Sequence, residues 1–166
     1  MEDILMDQLN KRRTDRVSKE IAASPSTIYQ AILNPDALVS WLPPEGMRGE
    51  IEIYEPWESG KFQISLTYLD PEYSQAGKTE GNKDVSQGTF TKLIKDKQVV
   101  TEAAFESDDP TLRETMRMTW NLETVPSGTK VEIVAENVPS SIDEKAHIEG
   151  LSSSLTNIAA YISRNQ

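Results

Sequence analysis

Apolar residues along this chain recur with two different periods, and the places where the period changes mark its elements. From Arg13 to Ala23, Val17, Ile21 and Ala23 alternate with polar residues, the pattern of a strand with one face turned inward. Ser24-Pro25 then offers a capping side chain followed by a proline suited to a first helical turn. Ile28, Ala31 and Ile32 form the buried side of that helix. Asn34-Pro35-Asp36 ends it and starts a second short helix, which closes near Trp41-Leu42 ahead of Pro43-Pro44.

Beyond the prolines the period is two. Ile51 and Ile53 mark a strand broken at Glu55-Pro56-Trp57, and Phe62, Ile64, Leu66 and Tyr68 alternate with Lys61, Gln63, Ser65 and Thr67 in the next. Residues 70–87 read as one long polar loop, of the kind that serves as a lid or is mobile. Strands are then expected over Gly88–Lys95, Gln98–Glu106, Glu114–Thr124 and Thr129–Asn137. The third of these turns Met116, Met118, Trp120 and Leu122 to one face, and the last turns Val131, Ile133 and Ala135 inward. Short turns between one-sided strands predict an antiparallel meander.

The longest helical period closes the chain, from Ser140 to Arg164. Ile148, Leu151, Leu155, Ile158 and Ile162 recur at steps of three and four. Ser140 or Ser141 is the expected cap, with Asp143 or Glu144 completing a capping box. Glu144, His147 and Ser154 fall on the inner arc, and Lys145, Glu149, Ser152 and Thr156 on the water side. Gly150 inside a helix costs about 1 kcal/mol relative to alanine, which suggests a bend or a close backbone approach. A single amphipathic helix needs a partner layer, and the strands supply it. The predicted fold is therefore α+β: a curved antiparallel sheet wrapped around the long C-terminal helix, with two short helices plugging one end. Residues 1–12 are expected to be a lead-in, and residues 13–166 one domain.

Composition narrows the function classes. A chain of 166 residues suffices for one domain with a sizeable core. Lys and Arg number 17 against 27 Asp and Glu, a net charge of −10, which argues against a nucleic-acid surface and against adsorption to anionic membranes. With no cysteine and one histidine, thiolate chemistry and imidazole-built metal sites drop out, and no cofactor is expected. The start MEDILMDQLNKRR lacks the pattern of a signal peptide, and no apolar run has transmembrane length, so the expected location is cytoplasmic and no membrane insertion is expected. Homodimerisation stays open.

No catalytic signature stands out. No serine lies in a Gly-x-Ser-x-Gly turn, and Gly77, Gly81 and Gly88 are too dispersed to cradle a phosphate. Asp108 and Asp109 are adjacent in the run Glu106-Ser107-Asp108-Asp109-Pro110, where turn formation explains them better than paired acid/base work. Trp41 could cap one end of a cavity, and Trp57 follows a proline in a turn. The stripe Met116, Met118 and Trp120 reads either as core or as an adaptable apolar wall. His147 likewise reads either as a packed edge residue, the commoner case for a lone histidine, or as a group bordering a cavity near Trp120 and Met118.

Three segments carry a resemblance: ASPSTIYQAILNPDALVSWL, FESDDPTLRETMRMTWNL and HIEGLSSSLTNIAAYI. In this order and at this length the chain, from about Arg13 to its end, resembles the START-like (SRPBCC) helix-grip superfamily. It is most similar to the branch named after activators of the heat-shock-protein-ninety ATPase. That family often has a tryptophan after the helix glycine, where Leu151 stands here. The resemblance implies a Bet v-like, helix-grip fold with a deep cavity between sheet and terminal helix. It also implies a small hydrophobic or aromatic ligand. Trp41, Phe62, Ile64, Leu66, Phe90, Phe105, Met116, Met118, Trp120, His147, Leu151 and Leu155 are the candidate ligand-binding residues. Two alternatives accompany this binding role: a cyclase- or hydrolase-like enzyme using His147 and Glu144, and a co-chaperone-like interaction domain.

Overall fold

The computed structural model describes residues 12–165, apart from 45, 71, 73–75, 78 and 80. The expected lead-in, residues 1–12, lies outside the described residues except for Arg12. Strand β1 (Arg12–Ile21) is followed by helices α1 (Pro25–Leu33) and α2 (Pro35–Trp41). Six strands come next: β2 (Met47–Tyr54), β3 (Lys61–Tyr68), β4 (Lys83–Ile94), β5 (Gln98–Phe105), β6 (Met116–Val125) and β7 (Gly128–Pro139). Helix α3 (Glu144–Arg164) closes the chain. All seven strands form one antiparallel sheet in the order β1-β7-β6-β5-β4-β3-β2, so only β1 crosses over to reach its neighbour. This is the helix-grip α+β architecture that the period pattern predicts.

Local chemistry fixes the helical elements where the sequence places them. Ser24 accepts a hydrogen bond from the amide of Thr27, and Pro25 opens α1. Asn34 ends α1 and caps α2, its side-chain oxygen accepting from the amides of Asp36 and Ala37. Ile28, Ala31, Ile32, Ala37, Leu38 and Trp41 are buried together. The cap of α3 differs from expectation. It is Asp143, which accepts from the amide of Ala146, while the hydroxyl of Ser141 bonds to that of Thr111.

Register shifts shape the sheet. They occur between Ile51 and Ile53, between Phe90 and Lys92, and between Arg13 and Asp15. The first leaves Ile53 44% exposed although Ile51 packs against the core. Opposite the third, Asn137 adopts φ 62° and its side-chain amide donates to Thr115 O. Trp57 lies 58% exposed at the β2–β3 turn. The expected loop over residues 70–87 is shorter than the spacing suggested, because β4 begins at Lys83.

On α3, Leu151, Leu155, Ile158 and Ile162 are buried, and Lys145, Glu149, Ser152 and Thr156 are exposed, as the periodicity predicts. Glu144 is exposed in the first turn rather than on the inner arc. Gly150 also departs from expectation, since a Cβ built there meets no atom within 4 Å. The glycine is required neither for a close approach nor for a left-handed backbone. Gly150→Ala should therefore stabilise the protein by about 0.5–1 kcal/mol through helix propensity, read as a raised urea midpoint at unchanged slope.

Candidate functional site

A cavity of about 250 Å³ lies between the inner face of the sheet and the α1–α2 pair. Ile32 of α1, then Leu38, Trp41 and the following Leu42 of α2, form its roof. Tyr54 of β2 and Phe62, Ile64 and Leu66 of β3 form one side. Ser86 and Phe90 of β4, Val99, Thr101, Ala103 and Phe105 of β5, and Met116, Met118 and Trp120 of β6 make the floor and far wall. Among the described residues, no charged side chain lines it.

The register accounts for this floor. One inward row across the sheet runs Phe62, Gly88, Ala103, Met116, and the next runs Phe90, Thr101, Met118, Ala135, Asp15. A Cβ at Gly88 would stand 2.7 Å from both the Phe62 ring and the Ala103 methyl, so only glycine lets that ring lie across β4. The aromatic groups interlock edge to face: Trp41 with Trp120 at 5.5 Å, and Phe90 with both Tyr54 and Phe62 at 5.4 Å.

The polar atoms of the aromatic wall are committed elsewhere. Trp41 Nε1 donates to Ala31 O at 2.9 Å, and the Tyr54 hydroxyl donates to Ile32 O at 2.6 Å. Both bonds satisfy carbonyls near the end of α1 and pin the roof to the wall. Burial pushes the Tyr54 phenol far above its ordinary range, so it stays a neutral donor. The hydroxyls of Ser86 and Thr101 remain, and no protein group among the described residues hydrogen-bonds to them.

Nine of the twelve candidate residues therefore border one space: Trp41, Phe62, Ile64, Leu66, Phe90, Phe105, Met116, Met118 and Trp120. His147, Leu151 and Leu155 do not, and no residue of α3 lines the cavity, so the expected space between sheet and terminal helix is instead roofed by the short helices. Leu151 and Leu155 pack into the core. His147 is held over β1 rather than beside Trp120 and Met118. Its Nδ1 lies 2.6 Å from Oδ2 of Asp15, a carboxylate whose side chain is only 1% exposed. Arg13 Nε donates to the same carboxylate at 2.9 Å. Burial alone would raise the Asp15 pKa. The hydrogen bonds and charges of Arg13 and His147 outweigh it and hold the carboxyl below its ordinary value. The third polar group of the helix's inner arc, Ser154, bonds back to Gly150 O.

Sequence reasoning missed Asp15, the roof and wall residues Ile32, Leu38, Leu42, Tyr54 and Val99, and the small and hydroxylic residues Ser86, Thr101 and Ala103. For Asp15, Thr101 and Ala103 the signal was parity alone: Asp15 stands two before Val17 on the inward side of β1, and Thr101 and Ala103 lie between Val99 and Phe105. The acidic run does form a turn, with Asp109 accepting from the amide and hydroxyl of Thr111, and these bonds hold its carboxyl low.

Fold and cavity together define a helix-grip protein with an apolar cavity between sheet and short helices. A family model described as activator of Hsp90 ATPase homolog 1-like protein matches residues 22–163, and the chain belongs to that family. Among solved structures, a crystal structure of a protein from Chromobacterium violaceum is similar at TM-score 0.79 and 26% identity, covering 90% of this chain and 96% of that one. A protein from Rhodobacter sphaeroides matches at TM-score 0.76 and 15% identity, covering 92% and 93%. The solution structure of an AHSA1-like protein from Aeromonas hydrophila matches at 0.67 and 13%, covering 92% and 94%. No match is found among curated proteins. Among the described residues, no helix is long and apolar enough to cross a membrane.

Proposed function

We propose that this protein binds a small hydrophobic or aromatic molecule in the cavity beneath α1 and α2. The carrying observation is the chemistry of the wall: five strands and two helices turn apolar groups toward one space, and among the described lining residues only the hydroxyls of Ser86 and Thr101 interrupt them without a protein partner. Interiors of proteins are close-packed, so a fold normally closes a space of this size with larger side chains. Here Ala103 and Thr101 occupy floor positions where larger apolar residues would fill it. Family membership supports the same reading, since related helix-grip domains serve as carriers.

Native mass spectrometry of freshly purified protein, joined to a thermal-shift screen of lipids, fatty acids and aromatic polyketides, tests it. A retained small molecule, or stabilisation by at least one class, is the expected result. The absence of both would overturn the proposal. The catalytic alternative draws no support from the site: His147 is engaged by Asp15 away from the cavity, and Glu144 is exposed to water. The family's description names an ATPase activator, but among the described residues no surface feature singles out a chaperone partner.

A further inference from the structure

We infer that the ligand is an uncharged aromatic of about two fused rings carrying one hydrogen-bonding oxygen, and that Thr101 receives that oxygen. This rests on the proposal that the cavity binds a small apolar molecule, and narrows it by size, charge and polarity.

Size comes first. A protein cavity of about 150 Å³ with apolar walls accommodates benzene. At about 250 Å³ this one is larger by roughly one further ring. Its shape favours a flat occupant, because the Phe62 ring covers Gly88 and the single methyl of Ala103 leaves the floor low between that ring and Met116. The thioethers of Met116 and Met118 supply polarizable surface suited to ring edges.

Charge is decided by the wall. A carboxylate seated against the inner wall would give up water there and meet no cation among the described lining residues. An ammonium group would find aromatic faces but no anion to pair with. The rings are moreover turned edge-on to one another, which commits part of their faces to protein contacts. A neutral molecule carries neither cost.

Polarity then selects Thr101 over Ser86. Ser86 pairs with Phe105, four residues along β5 from Thr101, so the two hydroxyls lie about 13 Å apart along the strand direction and one small ligand does not span both. Thr101 stands between Phe90 and Met118 in its row and next but one to the fully buried Val99. Its hydroxyl is thus the polar group set deepest against the aromatic cluster. Trp41 and Tyr54 cannot substitute for it, because their donors already serve the carbonyls of Ala31 and Ile32. A ligand oxygen that reached this depth without a partner would lose its hydrogen bonds to water for nothing.

Equilibrium dialysis of the full chain with four probes on the same ring system tests this at neutral pH: naphthalene, 2-naphthol, anionic 2-naphthoate and cationic 2-naphthylmethylamine. The naphthol is expected to bind at least about 10-fold tighter than either charged probe. Thr101→Val, which keeps the side-chain shape, should weaken naphthol binding about 3- to 10-fold more than it weakens naphthalene binding. Binding of either charged probe as tight as that of the naphthol overturns the inference while leaving the binding proposal standing. So does a Thr101→Val protein that weakens naphthol and naphthalene equally. If none of the four binds but the thermal-shift screen finds a lipid that does, the ring-system inference alone fails. If nothing binds in either experiment, the binding proposal falls and this inference with it.

Discussion

Asp15→Ala is expected to cost about 3–5 kcal/mol of folding stability, the loss seen when one member of a buried charged cluster is removed. The carboxylate is almost wholly inside, and it is the common acceptor for Arg13 and His147. Removing it leaves the Arg13 guanidinium, one of whose nitrogens is already buried without a partner, with no counter-charge. It also releases the one side-chain hydrogen bond from His147 that ties the first turn of α3 to β1. Chemical denaturation should show a lower midpoint at an unchanged slope. The pH dependence identifies the cause. Because the folded protein holds the Asp15 carboxyl below its ordinary value, the cluster's contribution is fully present above the unfolded carboxyl pKa of about 3.9. It is lost as pH falls from there through the lower folded value. The wild-type protein should therefore lose more stability over that acidic window than the alanine variant, and the two curves should converge. Parallel curves would mean that Asp15 acts only as a packing group.

Trp41→Ala is expected to cost a similar amount, about 3–5 kcal/mol, for a different reason. The indole is 1% exposed, sits edge to face with Trp120 at 5.5 Å and donates to Ala31 O. Truncation forfeits its buried area, strands a carbonyl of α1 and merges the lost volume with the cavity beneath. The melting temperature should fall by several degrees or more for a domain of this size. With the exposed Trp57 replaced by Phe in both proteins, Trp120 fluorescence should shift to longer wavelength as water reaches it. A variant that melts like the wild type would show that α2 is not the roof.

Much of the fold was legible because its signals are local. The alternation in β3 and β6, the Ser24-Pro25 and Asn34-Pro35 starts and the three-four spacing of α3 each announce an element within a few residues. Where the reading failed, the reason lies in the cavity or in distance along the chain. The start of strand β4 reads as loop because its inward positions there are Asp84, Ser86 and Gly88. A strand that faces a chamber has no need of the apolar alternation that marks one facing a packed core. Helical period puts His147 on the inner side of its helix, but its partner lies 132 residues away, and no helical period can name it. Which helical layer roofs the cavity depends on how register shifts curve the sheet, and those shifts leave little trace in composition. The cap of α3 differs from expectation for a milder reason: Ser140, Ser141 and Asp143 are all competent, and a tertiary contact with Thr111 occupies Ser141.

Asn34 has a consequence for timing. One residue both terminates α1 and caps α2, so no spare chain lets either helix swing while the other stays docked. The roof then opens as a unit or not at all, and lifting Trp41 from the chamber also draws on the anchors of Ile28 and Ile32 in the core. A molecule held beneath it would lose the wall that Leu38 and Trp41 provide only when this pair of helices detaches together. That side of its binding site would thus be as durable as the local stability of about seventeen residues, not of one side chain.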